Sequence, residues 1–273
     1  MVLPLWFKIL LGVFLFFLGA SVYSFLNVVI FRVPRGEEFV KTRSHCPGCG
    51  KLLSPIELIP VVSYVCLGGK CKICGSKIGL RDVSIEVFGG LSAIASFYLA
   101  FLKPADSIAE LAFGDFYARF LAGLTVFAFI GAMTVITFIQ IDMGVVKTGT
   151  LIALLVIVMI GFLTLPQVDF MDSLIAAAAG VIVIMIFHLL LKDAVPVGLA
   201  AMMGLCGIML GSGKMLLVAL PVAAVVALLE WLFLMIRGKK PMKQHFKLAF
   251  ALWIGVTAAA LAGDYVVKAL GIL

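Results

Sequence analysis

The sequence is short of charge. Only 13% of its 273 residues are Asp, Glu, Lys or Arg, while 64% are hydrophobic. A water-soluble globular chain is roughly half apolar and about a quarter charged. So much apolar surface cannot be hidden from water by folding alone, which excludes an ordinary soluble protein and makes lipid the solvent for most of the chain. The sequence also lacks internal repeats and low-complexity tracts, and only residues 32–82 are polar enough to fold in water. Its net charge of +7 would point to nucleic acid in a soluble protein. Here the basic residues cluster in loops, the pattern of loops retained on the cytoplasmic side, and no nucleic-acid partner is expected.

What the sequence does contain is long apolar runs. Runs of about 17–22 such residues can cross the hydrocarbon core as helices. Eight qualify as candidates: 9–31, 83–102, 120–141, 148–165, 173–191, 198–210, 215–236 and 248–267. The run from Ile9 to Ile30 is too long for a signal-peptide core and lacks a clear cleavage site, so it reads as a retained first span. The sixth run is short and rich in Gly, Ala and Met, as expected of a half-span or a helix packed deep in a bundle. From Arg32 to Arg81 lie nine Lys or Arg against three Glu, so this loop is expected on the cytoplasmic side. The acidic loop after 102 is expected outside, as are both termini. The expected fold is all-α: residues 1–31 a first transmembrane helix, 32–82 a cytoplasmic metal-binding loop, and 83–273 a membrane helix bundle.

The loop carries two C-x-x-C turns, Cys46-Pro-Gly-Cys49 and Cys71-Lys-Ile-Cys74. Four thiolates at this spacing can close on one tetrahedral zinc ion at about 2.3 Å. Gly48, Gly50 and Gly75 suit tight turns, and Lys51, Lys70, Lys72 and Lys77 offset the charge of a zinc tetrathiolate. Two disulfides are the alternative, disfavoured because the cytoplasm keeps thiols reduced. A site with four protein ligands has no open position, so the expected zinc is structural. Glu86 lies inside the second run, where a carboxylate is expensive and needs a partner or a function. Arg81 and Lys77 are the nearest candidate partners in sequence. Asn27 and Arg32 are expected to tie the first span to the loop.

Several ordered stretches now converge: Ser24-Phe-Leu-Asn-Val-Val-Ile-Phe-Arg-Val-Pro34, Arg43-Ser-His-Cys-Pro-Gly-Cys49, Ile59-Pro-Val-Val-Ser-Tyr64, Gly69-Lys-Cys-Lys-Ile-Cys74 and Ile85-Glu86. Together they resemble the bacterial type IV prepilin peptidases, densely over residues 19–90. The resemblance implies a multi-pass aspartic protease of the inner membrane. Such a protein cleaves basic leaders from type IV prepilins or type II secretion pseudopilins. It also implies N-methylation of the new terminus with S-adenosylmethionine. Asn27, Arg32 and Glu86 match the family pattern, and the loop would serve substrate handling or methylation. The family's chemistry uses two aspartates near the cytoplasmic face. Paired carboxylates share one proton, because both cannot ionise cheaply side by side.

The chain departs from that pattern where it matters chemically. In the ungapped register the first catalytic position is Gln140, within Thr137-Phe-Ile-Gln-Ile-Asp-Met-Gly. Gly198, Gly207 and Gly211 keep the spacing of the second motif, which puts Leu199 at the second catalytic position and Ala201 at a lysine position. Neither glutamine nor leucine can shuttle a proton as a carboxylate does. The resemblance thus implies an inactivated form, or a shifted site built on Asp142 and Asp193. A non-catalytic prepilin-binding assembly protein is the alternative.

Overall fold

The computed structural model describes residues 4–39, 43–101, 113–164, 169–191, 195–236 and 248–269. These residues form a helical protein with α1 (Leu5–Arg32), α2 (Val62–Cys66), α3 (Leu80–Phe101), α4 (Phe113–Met143), α5 (Thr148–Thr164), α6 (Phe170–Leu191), α7 (Gly198–Lys214), α8 (Leu220–Ile236) and α9 (Leu248–Ala269). Extended pairing among the described residues is limited to two isolated bridges in the cysteine loop. Among the described residues, four helical runs are long and apolar enough to cross a membrane: Leu5–Arg35, Phe116–Met143, Phe170–Leu189 and Gly198–Phe233. The chain divides into two compact units, residues 1–123 and 124–273.

In the first unit α1 and α3 pack antiparallel. Lipid tails are as apolar as leucine, so membrane helices gain little from burying apolar surface and associate where small residues let backbones approach. A Cβ on Gly19 would lie 2.4 Å from the Gly89 carbonyl oxygen. One on Gly89 would lie 2.2 Å from Tyr23, and one on Gly90 would lie 2.5 Å from Phe16. The buried Tyr23 thus uses the space left by a missing side chain. Farther along, the Asn27 Nδ2–H donates to Asp82 Oδ1 at 2.9 Å, joining the end of α1 to the start of α3. Asp82 sits in the first turn of α3, where an acid also favours the helix dipole.

The second unit is organised around α7. A Cβ on Gly207 would lie 2.5 Å from the Ala176 backbone, so α6 and α7 meet main chain to main chain. Gly255 of α9 approaches the Ala219 carbonyl as closely. The helical run from Gly198 onward is not one straight rod. Met203 and Met215 would stand about 18 Å apart in a straight helix, yet the Met203 carbonyl and the Met215 side chain both reach Gly180. The chain bends back at Gly211, whose φ of 78° and ψ of 168° leave the helical region. Asp172 holds the bend. Its Oδ2 accepts the Ser212 N–H at 2.9 Å and its Oδ1 accepts the Ser212 hydroxyl. A Cβ on Gly211 would strike Asp172 Oδ2 at 2.5 Å. The short sixth run is therefore a helix of its own, and a π-turn over Met215–Ala219 leads into α8.

The α1–α3 contact can be checked with paired variants. Gly89→Ala should destabilise the detergent-solubilised protein by about 1–3 kcal/mol through overpacking. Gly12→Ala, which meets nothing within 4 Å, should leave the unfolding midpoint unchanged or slightly raised. The comparison is read from denaturation followed by far-ultraviolet circular dichroism.

Candidate metal centre and candidate active site

The two C-x-x-C segments fold as the same turn twice. In the first, the Cys46 N–H donates to the Lys51 carbonyl at 2.8 Å and the Gly50 N–H to the Cys46 carbonyl at 2.8 Å. In the second, the Cys71 N–H donates to the Ser76 carbonyl at 2.8 Å and the Gly75 N–H to the Cys71 carbonyl at 3.0 Å. Gly50 and Gly75 both take a positive φ, 70° and 68°, which a side chain would oppose. The bridges His45 to Leu52 and Lys70 to Lys77 close each turn at its base.

This repetition brings the Cys46, Cys49, Cys71 and Cys74 sulfurs within 4.8 Å of one another. The Cys46 and Cys74 sulfurs are 3.8 Å apart. That is well beyond the roughly 2.05 Å of a disulfide. It equals the sulfur–sulfur edge of about 3.8 Å that a tetrahedron with 2.3 Å zinc–sulfur bonds requires. The donor set and its spacing fit zinc, and all four cysteines are free thiols. Hydrogen bonding, first from Ser76, lowers Cys46 to about 6, and Cys74 is lowered by the same side chain. At Cys49 the Lys51 backbone N–H also lowers, but hydrogen bonding with Cys74, burial and the other thiols outweigh it and lift the group to about 11. Four thiols so close do not ionise together unaided; a cation at their centre would relieve the conflict.

Ser76 was not marked by the sequence pattern, because its position repeats that of Lys51 in the first turn. Its hydroxyl oxygen lies 3.3 Å from the Cys46 sulfur and 3.1 Å from the Cys74 sulfur.

The other loop positions find definite partners. Arg32 is buried, and its guanidinium donates to the Glu38 carbonyl at 3.2 Å and the Arg43 carbonyl at 3.5 Å. Asn27 reaches the foot of α3, as above. The Glu86 carboxylate accepts the Val61 backbone N–H at 2.8 Å. This backbone donor, outside the Arg81 and Lys77 pair singled out by sequence proximity, belongs to the Ile59–Tyr64 segment. Val61 itself has a φ of 63° and a ψ of −49°, and the Val62 N–H reaches back to the Pro60 carbonyl at 2.6 Å. That is a γ-turn of the rarer, strained kind, on a β-branched residue that resists positive φ.

Positions 140 and 199 lie at one end of the second unit. The α4 helix ends at Met143, where Gly144, with φ of 71°, donates its N–H to the Gln140 carbonyl at 2.8 Å. Gly198, opening α7, has Val146 against it at 2.7 Å from where a Cβ would be. Farther in, the Cys206 thiol meets the Met133 sulfur at 3.3 Å. Two turns from Met133 toward the end of α4 is Gln140; two turns from Cys206 toward the start of α7 is Leu199. Both therefore stand at the same end of the α4–α7 pair. Leu199 is fully buried. The Gln140 Oε1 and the Thr137 hydroxyl are buried without a hydrogen-bond partner. Asp142 sits in the last turn of α4 with an exposed side chain, and Asp193 lies outside the described residues.

Comparison with known proteins bears on both sites. Residues 17–100 match the model of the bacterial peptidase A24 N-terminal domain. The chain carries that domain. It includes α1 from residue 17 onward, the whole cysteine loop and nearly all of α3. The chain is 27% identical to the prepilin leader peptidase/N-methyltransferase of Bacillus subtilis over 258 residues, covering 93% of this chain and 95% of that protein. It is 47% identical to the protein of the same name from Myxococcus xanthus over 89 residues, 33% of this chain. It is 34% identical to that of Pseudomonas aeruginosa over 121 residues, 36% of this chain. The chain spans only 27% and 42% of the lengths of these last two. No solved structure matches. The resemblance to the prepilin peptidase family holds, strongest over the A24 N-terminal domain.

Zinc analysis of the purified chain should give about one ion per chain for four thiolate ligands. Ser76→Ala should lower zinc affinity by about 10–100-fold, as removal of an outer-shell partner does, measured by competition with a chromogenic chelator.

Proposed function

We propose that this chain is a multi-pass inner-membrane protein of the prepilin peptidase type that engages the basic leader and following apolar helix of a prepilin or pseudopilin. In this reading its leader-cleaving chemistry is lost. The observation that carries the reading is that Gln140 and Leu199 stand at the same end of α4 and α7. Family resemblance expects two aspartates there. Side by side they would share a proton, one activating water and the other protonating the departing amine. A glutamine carbonyl can accept a hydrogen bond but cannot take the proton, and Leu199 offers no polar atom. On this reading the site lacks both its acid and its base.

The reading has consequences for the rest of the molecule. The zinc loop stands on the cytoplasmic side and both termini outside, in keeping with the basic residues of 32–81. Zinc is structural and folds the loop. The relatives' names pair cleavage with N-methylation, which brings S-adenosylmethionine into the reading as methyl donor. A second reading keeps the enzyme active with Asp142 and Asp193 as a shifted pair. It is favoured by one fact: an acid at the C-terminal end of a helix, as Asp142 is, works against the dipole and calls for a reason.

Cleavage of a prepilin in liposomes separates the two. The unaltered chain should bind the prepilin and leave it uncut. The triple variant Gln140→Asp, Leu199→Asp and Ala201→Lys should release the leader. Cleavage by the unaltered chain, abolished by Asp142→Asn or Asp193→Asn, would overturn the first reading and establish the second.

A further inference from the structure

The loop between α1 and α3 is not polar throughout. Between its two cysteine turns lie Ile56, Leu58, Ile59, Val62 and Val65, all exposed, with Ile56 at 76% and Val65 at 71%. A segment standing free in water would not carry five such side chains in ten positions, because each costs free energy when hydrated.

The hydrogen bonds of this segment fix its height. Glu86, which accepts the Val61 N–H, lies six residues into α3, about 9 Å along its axis. Tyr23 meets Gly89 and Asn27 meets Asp82, so Glu86 is level with residues 24–26 of α1. Those residues belong to the Leu5–Arg35 span, several positions inside its apolar end. Phe39, on the other side of the loop, folds back to the same level, its ring 6.3 Å from that of Phe25. The loop is thus drawn down alongside the two helices, not held above them. Basic residues flank the segment in sequence, with Lys51, Lys70, Lys72 and Arg81 all exposed, and Lys51 and Lys72 act on its Glu57. Arg35 lies over the Phe31 ring, 3.8 Å from its centroid.

We propose that residues 56–66, centred on the strained turn at Val61, form a wedge bedded in the headgroup–acyl boundary of an anionic bilayer. Apolar side chains seated about 5–10 Å into that boundary, with basic residues at the headgroups, are how a surface segment binds a membrane. The wedge explains why a carboxylate stands at Glu86. It accepts a backbone N–H that lipid could not satisfy and holds Val61 in its unfavourable conformation. The two cysteine turns then stand in water, where a bound zinc would join them. The inference rests on the membrane reading of α1 and α3 and is independent of any peptidase chemistry.

The test uses the full, zinc-loaded chain in vesicles of phosphatidylethanolamine and phosphatidylglycerol. A fluorescent amino acid is placed at Val65, at Ile73 in the second cysteine turn, or at Phe14 on α1. Brominated acyl chains should quench position 65 severalfold more than position 73 and comparably to position 14, while aqueous iodide should quench mainly position 73. If position 65 is quenched by iodide as strongly as position 73 and untouched by brominated lipid, the wedge does not exist. If position 65 becomes shielded from iodide only when a prepilin is added, the apolar surface belongs to a protein partner and the proposal fails.

Discussion

Close approach of helix backbones sets this architecture. In lipid, burying an apolar side chain gains little, so helices are held by packing at short range and by the few polar bonds between them. Gly19 with Gly89, Gly207 with Ala176, and Gly255 with Ala219 are the points where main chains come together, each so near that a Cβ would lie within 2.5 Å of the opposing backbone. Gly211 belongs to the same set but acts differently, because its positive φ reverses the chain and Asp172 secures the new helix start. The placement of positions 140 and 199 at one end of α4 and α7 rests on two other contacts, the Cys206 thiol on the Met133 sulfur and Val146 against Gly198.

The same solvent makes a buried polar group without a local partner costly. At the foot of the first unit, Asn27 binds Asp82, Arg32 gathers two loop carbonyls, and Glu86 takes the Val61 N–H. These bonds tie both ends of the loop to the helices it connects. Zinc would complete the assembly by joining the two cysteine turns, which carry matching hydrogen bonds but little core of their own. Metal binding and loop folding are then one event.

Much of this was legible in the sequence. The C-x-x-C spacing pointed to the metal centre, because two short identical turns leave few other ways to place four sulfurs. Apolar runs marked the helices, and glycine spacing from Gly198 to Gly211 has a physical reason at each step: room for Val146, contact with α6, and the reversal. The partner of Glu86 was not legible, since a backbone N–H freed by a γ-turn has no residue signature. Nor was Ser76, whose importance lies in where the second turn points its hydroxyl. Pattern also could not show that Ile56, Leu58, Ile59, Val62 and Val65 remain exposed, because a short apolar run reads equally well as a small core.

The central claim is that Gln140 and Leu199 stand at the same end of α4 and α7, at the positions where family resemblance expects a carboxylate pair. Crosslinking tests it most directly. In a chain carrying Gln140→Cys and Leu199→Cys, a short bis-maleimide should join α4 to α7 in membranes, producing a linkage detectable after proteolysis between the helices. Gln140→Cys paired with Ile208→Cys, near the other end of α7, should give none. Efficient crosslinking of the control pair with none between 140 and 199 would contradict the account.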